Sequence, residues 1–314
     1  MSKLQFLVRN ARPDPLSVIR MAKYAVIEAP SVLGLKETGV DQLPDALLSA
    51  GLAERLRADR IGRVAPPPYS AQRDPEHGML NAASIARYTV ALAEVVGEVL
   101  DRGSFPIVLG GDCSILLGNL LALRRRGRFG LLFADGHTDF YQPEANINGE
   151  AASSDLALAT GRGPETMTKF EGHDRLVRDA DIVALGFRDE DEQRHYGSQP
   201  LPPEILALNL AAVRRLGVAR ATRQAIDRLS RPDLAGFWIH LDADVLDDAI
   251  MPAVDYRLPD GLSWDELVTL LRHARASPHA TGMEITIYNP SLDSDRSIAH
   301  NFVMALAQAL AGGG

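Results

Sequence analysis

Three side chains that commonly bind metal ions lie within the sequence DGHTD at positions 135–139. The apolar run 131–134 precedes it, which indicates a buried strand that ends in two carboxylates and an imidazole. In an extended chain Asp135, His137 and Asp139 would lie on one side, so a turn could direct all three at one cation. The alternative interpretation is a loop in which an aspartate caps a helix and the histidine is solvated.

Two further acidic motifs follow predicted buried strands. The strand 105–109 runs into GGDCS at 110–114, and the strand 237–241 runs into DAD at 242–244. Because α/β proteins bind ligands at the carboxyl ends of their parallel strands, we expect the three motifs to converge. Carboxylates crowded there would repel one another unless divalent cations balanced them. Oxygen ligands with some imidazole favour Mn²⁺, and a pair of ions can activate a shared water as a nucleophile.

The elements that would carry these motifs alternate between strand and helix patterns along the chain. Ser263 and Glu266 have the spacing of a capping box at the start of one predicted helix. The segment 188–192 is predicted to be an acidic loop. Predicted strands cover 24–30, 105–109, 131–134, 181–187, 237–241 and 281–288, and predicted helices cover 45–56, 80–100, 114–126, 151–160, 200–216, 220–229, 263–276 and 298–310. The alternation predicts one α/β domain over 1–314, with a mainly parallel sheet between two helical layers.

Composition narrows the class of protein. The chain has 314 residues, 46% of them hydrophobic and 24% charged, which is typical of a globular protein with a substantial core. A formal net charge of -8 argues against nucleic acid or an anionic membrane as the main partner. The single cysteine, Cys113, excludes an intrachain disulfide and fits a reducing compartment. We find no signal-peptide pattern and no apolar run of the roughly 20 residues that a membrane span needs, so we expect a cytoplasmic protein.

The three motifs, in this order and spacing, resemble the signatures of the arginase/agmatinase/formimidoylglutamase (ureohydrolase) family. The segment 282–290 is similar to the family's fourth block, which ends in an Asn-Pro pair. The resemblance implies an arginase-like three-layer α/β/α fold, a binuclear Mn²⁺ centre and a trimeric or hexameric homo-oligomer. It also implies hydrolysis of a carbon–nitrogen bond in a linear amidine or guanidino compound, by attack of a metal-bridging hydroxide.

The resemblance assigns roles to individual positions. Asp139 would be both a metal ligand and the catalytic residue. In the catalytic role it would orient the hydroxide and pass the proton of the hydroxide to the leaving amine. Asn148 and Asp191 would bind the small-molecule substrate, although a solvated acidic loop is the alternative for Asp191. His240 is interpreted as a buried core histidine rather than a ligand. The predicted metal ligands are Cys113, Asp135, His137, Asp139, Asp242 and Asp244.

Three departures from the family pattern affect this interpretation. Cys113 stands where the family has a metal-binding histidine, so either a thiolate ligand shifts the preference toward Zn²⁺, Co²⁺ or Ni²⁺, or a buried thiol leaves that position weak. Ile287 stands where arginase-like members have a glutamate that pairs with the guanidinium, and Asn148 replaces a proton-shuttling histidine. The alternative function is therefore a catalytically degraded relative that binds a ligand or regulates a partner.

Overall fold

The computed structural model describes residues 23–310, and the segments 1–22 and 311–314, with the predicted tail at 312–314, lie outside the described residues. Within the described part, eight parallel strands form one sheet in the order β2-β1-β3-β8-β7-β4-β5-β6. The strands are β1 (Tyr24–Ala29), β2 (Asp59–Arg63), β3 (Phe105–Gly110), β4 (Gly130–Ala134), β5 (Ile182–Leu185), β6 (Leu206–Leu208), β7 (Phe237–Asp242) and β8 (Ala280–Thr286).

Helices cover both faces of the sheet, which confirms the predicted three-layer α/β/α architecture. The helices are α1 (Leu43–Ser49), α2 (Leu52–Leu56), α3 (Ala82–Asp101), α4 (Leu116–Arg124), α5 (Asp155–Ala159), α6 (Glu165–Thr168), α7 (Glu190–Tyr196), α8 (Leu210–Leu216), α9 (Val218–Leu229), α10 (Trp264–Ala276) and α11 (Ser297–Leu310). Helices α3 to α6 pack in one buried cluster, and α1, α2 and α8 to α11 pack in the other. Between 23 and 310, none of the helices is long and apolar enough to cross a membrane.

Strand order determines which motifs meet. Strand β4 lies between β5 and β7, and its residue Ala134 is in register with Leu241. The motifs that follow β4 and close β7 therefore leave the sheet side by side. Strand β8 pairs with both β3 and β7, so the motif after β3 approaches the same edge across β8.

Three predictions for local structure were wrong, and one edge strand was missed. The helix predicted over 45–56 is two helices, because Gly51 adopts a left-handed conformation with φ of 87°. Within 200–216 only α8 is helical, and the short edge strand β6 precedes it. Helix α7 begins at Glu190, inside the predicted acidic loop. The polar edge strand β2 was not predicted, because its five residues are all exposed and lack hydrophobic alternation. The capping box of Ser263 and Glu266 is confirmed.

Candidate metal centre

The six predicted ligands lie together at the carboxyl edge of the sheet, where each follows or ends a strand. Donor atoms of the buried Asp135 and Asp244 and of the partly buried His137 lie within 4.8 Å of one another. Donor atoms of a second group lie equally close, and this group adds His240 to Cys113, Asp135 and Asp242. A third group joins Asp139 to Cys113 and Asp155. The structure thus brings every predicted ligand into one cluster and adds two residues to it.

The loop after β4 is held by hydrogen bonds from its own backbone. The amide of His137 donates to Asp135 Oδ1 at 2.6 Å, and the amide of Gly136 donates to Asp244 Oδ1 at 2.9 Å. His137 Nδ1 lies 2.8 Å from Asp244 Oδ2. Burial lowers the pKa of His137, but the neighbouring carboxylate of Asp244 outweighs it and raises the pKa to about 9.

A tight turn directs Asp139 into the site. Its φ of 44° lies in the left-handed region, which aspartate tolerates better than most residues do. The buried Asp189 stabilises this turn, since its Oδ2 accepts hydrogen bonds from the amide and the hydroxyl of Thr138, both at 3.0 Å. Asp189 thereby positions Asp139, and its carboxylate is engaged with the protein rather than with the cavity.

Cys113 reaches the site through the glycine pair that ends β3. A Cβ on Gly111 would lie 1.7 Å from the carbonyl oxygen of Ser31, so only glycine allows this close approach. Asp112 caps the following turn, because its Oδ1 accepts from the amide of Ser114 at 2.9 Å. The Sγ of Cys113 then lies 2.9 Å from Asp242 Oδ2. Burial, reinforced by the charge of Asp242, raises the pKa of the Cys113 thiol well above its usual value.

Burial and mutual repulsion dominate at Asp135, Asp139 and Asp242, whereas at Asp244 the pairing with His137 outweighs burial and lowers the pKa. Burial, followed by repulsion from Asp244, raises the pKa of Asp135 to about 6. Burial and neighbouring carboxylates also raise the pKa values of Asp139 and Asp242 well above the usual range. Within the part of the chain that the structure describes, Asp135 Oδ2 and both carboxylate oxygens of Asp155 have no hydrogen-bond partner. A set of oxygen, nitrogen and sulfur donors in which some oxygens have no partner fits divalent cations well.

A cavity of about 240 Å³ opens above the cluster. His137, Asp139 and Asp242 line one part of it, and Tyr256 and Ile287 line another. Ile287 adopts a φ of 68°, a strained conformation for a β-branched residue, and backbone strain of this kind is concentrated at functional sites. The cavity therefore combines a charged floor with partly apolar walls.

The two predicted substrate-binding residues are placed differently. Asn148 lines the cavity, and its Nδ2 donates to Tyr256 Oη at 3.1 Å. Tyr256 Oη in turn donates to the buried Glu150 Oε2 at 2.6 Å. The side chain of Asp191 is 92% exposed and pairs with Arg194, whereas Glu192 of the same helix lines the cavity. Substrate binding by Asn148 and Asp191 stays a prediction.

Sequence reasoning did not assign His240 or Asp155 to the site. His240 lies two positions before Asp242 in β7, so strand alternation alone would have placed both side chains on one face. Asp155 is a single acidic residue at the start of an otherwise apolar helix, and its burial could not be deduced from the sequence. Both residues belong to the cluster as the structure shows it.

Comparisons with known proteins relate the chain to one family. The model of the Arginase family matches residues 22–312. An arginase from Bacillus caldovelox is 30% identical over 304 residues, which cover 93% of this chain and 99% of the relative. An arginase from Staphylococcus aureus (strain COL) is 28% identical over 287 residues, covering 88% of this chain and 93% of the relative.

Solved structures give the same result for the fold. The native structure of the Bacillus caldovelox arginase superposes with a TM-score of 0.82 at 27% identity, covering 94% of this chain and 99% of that one. The agmatine ureohydrolase of Thermoplasma volcanium has a TM-score of 0.67 at 21% identity, covering 93% of this chain and 89% of that one. At that lower identity the likeness supports the fold alone.

Proposed function

The chain belongs to the arginase family, and we propose that it is a metal-dependent hydrolase that cleaves a carbon–nitrogen bond of a linear amidine or guanidino compound. The observation that carries this proposal is the cluster of carboxylate, imidazole and thiol donors at the floor of a cavity. We propose a binuclear centre of Mn²⁺, with Zn²⁺, Co²⁺ or Ni²⁺ as alternatives because of Cys113. A homo-oligomeric state and a cytoplasmic location remain predictions.

The proposed ligands divide into two groups. Asp135, His137 and Asp244 would hold one cation, and Cys113, Asp135 and Asp242 would contribute to the other, with Asp139, which lies close to Cys113, as a further ligand. Bound there, the two cations would lower the pKa of a water molecule and so supply the nucleophile for hydrolysis. The hydrogen bonds that fix the loop after β4 support this arrangement, because they hold the donors in place before any ion binds.

The chain's own residues would orient the reactants and transfer the proton. Asp139 lines the cavity beside the cluster, so its carboxylate can accept a hydrogen bond from the attacking water. The water oxygen would bond to the amidine carbon, and the carbon–nitrogen bond would break. Asp139 would take the proton that the water loses and pass it to the departing amine. Its left-handed backbone conformation, fixed through Thr138 and Asp189, supports this positioning role.

The walls of the cavity restrict the class of substrate. Asn148 and Tyr256 offer hydrogen-bonding groups, and Glu192 offers a negative charge that would attract a cationic substrate. Ile287 supplies an apolar contact and no charge. We propose a cationic amidine or guanidino compound whose chain contacts Ile287 and whose polar end reaches Asn148, with the exposed Asp191 contributing only a solvent-screened attraction.

The test is reconstitution after metal removal. Metal is removed with a chelator, and samples of the metal-free protein are loaded separately with Mn²⁺, Zn²⁺, Co²⁺ or Ni²⁺. Each sample is assayed for release of urea, formamide or ammonia from arginine, agmatine, guanidinobutyrate and formiminoglutamate. Turnover with one metal that Asp139→Asn reduces by about 10²–10⁴-fold would support the proposal. Asp227→Asn is the matched control, since Asp227 is exposed on α9 and should leave turnover unchanged.

The alternative of a catalytically degraded protein has one observation in its favour. Cys113 already contacts Asp242, so the thiol and carboxylate satisfy one another in the structure. That alternative predicts metal or ligand binding without turnover of any compound in the panel. A protein that binds none of the four metals would contradict the hydrolase proposal.

A further inference from the structure

His240 occupies a position in the sheet that fixes its imidazole completely. In the sheet register it is paired with Phe133 of β4 on one side and with Glu284 of β8 on the other. The rings of Phe133 and His240 stack with centroids 4.4 Å apart and an interplanar angle of 7°. His240 Nδ1 lies 2.7 Å from Glu284 Oε1, and the residue is 0% exposed. The imidazole is therefore held by packing on its face and by a carboxylate at one nitrogen.

The contact with Glu284 assigns the tautomer. A carboxylate oxygen can only accept at this distance, so Nδ1 carries the hydrogen and Nε2 of a neutral ring presents its lone pair. Glu284 is itself fixed, because its Oε2 accepts a hydrogen bond from Asn119. Nε2 of His240 has no hydrogen-bond partner among residues 23–310, and neither has Asp135 Oδ2, which lies 3.4 Å from it. Two buried acceptors that face one another need a cation or a proton between them.

The surroundings of Nε2 favour a metal cation. His240 belongs to the group whose donor atoms are all within 4.8 Å of one another, together with Cys113, Asp135 and Asp242. Its Nε2 is the ring nitrogen that faces Asp135. One nitrogen, one sulfur and two oxygens make a four-donor set of the kind that Zn²⁺ or Co²⁺ accepts. Metal-binding histidines usually donate their other ring hydrogen to a carboxylate, which is the arrangement of His240 and Glu284.

We propose that His240 is a metal ligand of this chain, which binds one divalent cation together with Cys113, Asp135 and Asp242, and that Glu284 positions its imidazole. The proposal rests on the proposed function, because this cation is one of the two that hydrolysis would need. It changes the expected chemistry of the centre, since an imidazole from β7 and a thiolate share one ion. The set therefore favours Zn²⁺ or Co²⁺ over Mn²⁺ at this position.

The competing explanation is that the imidazole of His240 is protonated, so that its own positive charge takes the place of a metal cation. Glu284 and Asp135 contact the two nitrogens of His240, so an imidazolium would be balanced by carboxylates without any metal. The two explanations differ in what happens to Nε2 when metal is added. A ligand loses its proton to the cation, whereas an imidazolium keeps both ring hydrogens.

The first experiment is calorimetric titration of the metal-free protein with Zn²⁺ and with Co²⁺. We expect two equivalents for the unaltered chain, and we expect His240→Gln to weaken one equivalent by at least about 100-fold. Glu284→Gln keeps the imidazole but removes the positioning carboxylate, and it should weaken the same equivalent by about 10–100-fold. His300→Gln is the matched control, because His300 is exposed on α11, and it should titrate like the unaltered chain.

The second experiment does not depend on His240→Gln and covers the case in which that variant does not fold. Nitrogen NMR of the histidine rings is recorded before and after Zn²⁺ addition, and the His240 signals are identified by their difference in Glu284→Gln. We expect Nε2 to lose any proton and shift to the metal-bound range. Retention of both ring hydrogens in the zinc-loaded protein would overturn the proposal.

The outcomes separate this inference from the proposed function. If the unaltered chain binds two equivalents and His240→Gln binds both within about twofold of it, His240 is not a ligand and the hydrolase proposal stands. If the unaltered chain binds no metal, both proposals fail. Loss of one equivalent in His240→Gln and not in His300→Gln supports the inference whether or not a substrate has been identified.

Discussion

Asp181 and Asp155 are equally buried, each 0% exposed, yet they lie in opposite electrostatic environments. Asp181, just before β5, accepts hydrogen bonds from Arg128 at 2.7 and 2.8 Å and also contacts Arg231. Asp155, beside the metal centre, has no hydrogen-bond partner for either carboxylate oxygen in the described chain. The same side chain at the same depth is thus paired at one end of the sheet and unpaired at the other.

The difference separates a buried acid that the protein itself compensates from one that it leaves uncompensated. A buried carboxylate that binds a guanidinium is compensated by the protein itself, and its role is to hold two segments together. A buried carboxylate without a cation keeps its desolvation cost, which persists in a folded protein only when a ligand or a function requires it. Burial alone does not identify the site. A buried carboxylate that has no counterion is the feature that identifies the candidate site.

The largest expected effect concerns the paired acid. Asp181→Ala should lower the free energy of unfolding by about 3–5 kcal/mol, because it leaves Arg128 and Arg231 without their buried partner. Urea unfolding measures this loss, and zinc titration should show unchanged metal binding in the folded fraction. Asp227→Ala on α9 is the exposed control and should stay within about 0.5 kcal/mol. A loss below about 1 kcal/mol for Asp181→Ala would contradict the structural role.

The second effect is the pH dependence of the metal-free protein. The pKa of Asp135 is raised from 3.8 to about 6 in the fold, so the folded state binds the proton more tightly than the unfolded state does. Stability from this group is present below about pH 4 and is lost as the pH rises through about 6, by roughly 3 kcal/mol. Thermal unfolding in a chelator between pH 4 and pH 8 measures most of it, and saturating Zn²⁺ should abolish the loss.

Glu28 supplies the internal control for that pH dependence. Burial raises its pKa, but Arg60 and Arg63 outweigh burial and hold the pKa below its usual value. Stability from Glu28 is therefore present above about pH 4.5 and is lost as the pH falls further. Glu28→Gln should remove part of the loss of stability below about pH 4.5 and leave the decline in stability above pH 5 unchanged. If the decline disappears in Glu28→Gln, the carboxylates of the metal centre are not its cause.

A third, smaller effect has the opposite sign to the first. Asp155→Asn should stabilise the metal-free protein at pH 8 by roughly 1–3 kcal/mol, because it removes an unpaired buried charge. Asp181→Asn, which is the same substitution at the paired acid, should destabilise it. Urea unfolding of both variants in a chelator gives the comparison directly. Destabilisation by Asp155→Asn would mean that its carboxylate is compensated after all.

The smallest effects are expected at the cavity rim. Asn148→Ala should raise KM about fivefold with little change in kcat, because it removes one hydrogen bond of about 1 kcal/mol to the substrate. Asp191→Asn should change KM by less than about twofold, since the exposed carboxylate is screened by solvent. Steady-state kinetics with the substrate found by the panel measure both. A larger effect of Asp191→Asn would show that α7 moves toward the cavity when substrate binds.

The sequence predicted the central strands and the metal motifs because their signals are local. Buried parallel strands are continuous apolar runs, and β3, β4 and β7 each end in a motif of glycine or acidic residues. The edges of the sheet were predicted poorly for an equally physical reason. Strand β2 is polar, and it is stabilised by Arg60 and Arg63 binding Glu28 of β1, a contact between residues more than thirty positions apart.

By itself the sequence determined which residues could bind metal, through the types and spacing of side chains after three strands. Only the tertiary structure decided how they combine, because strand order places β8 between β3 and β7 and so brings Cys113 to Asp242. It also decided that His240 has a free Nε2 and that Asp155 has no counterion within the described residues. The sequence shows which side chains can donate electrons to a metal ion. Whether a buried charge has a partner depends on distances between residues that are far apart in the sequence, and only the folded chain sets those distances.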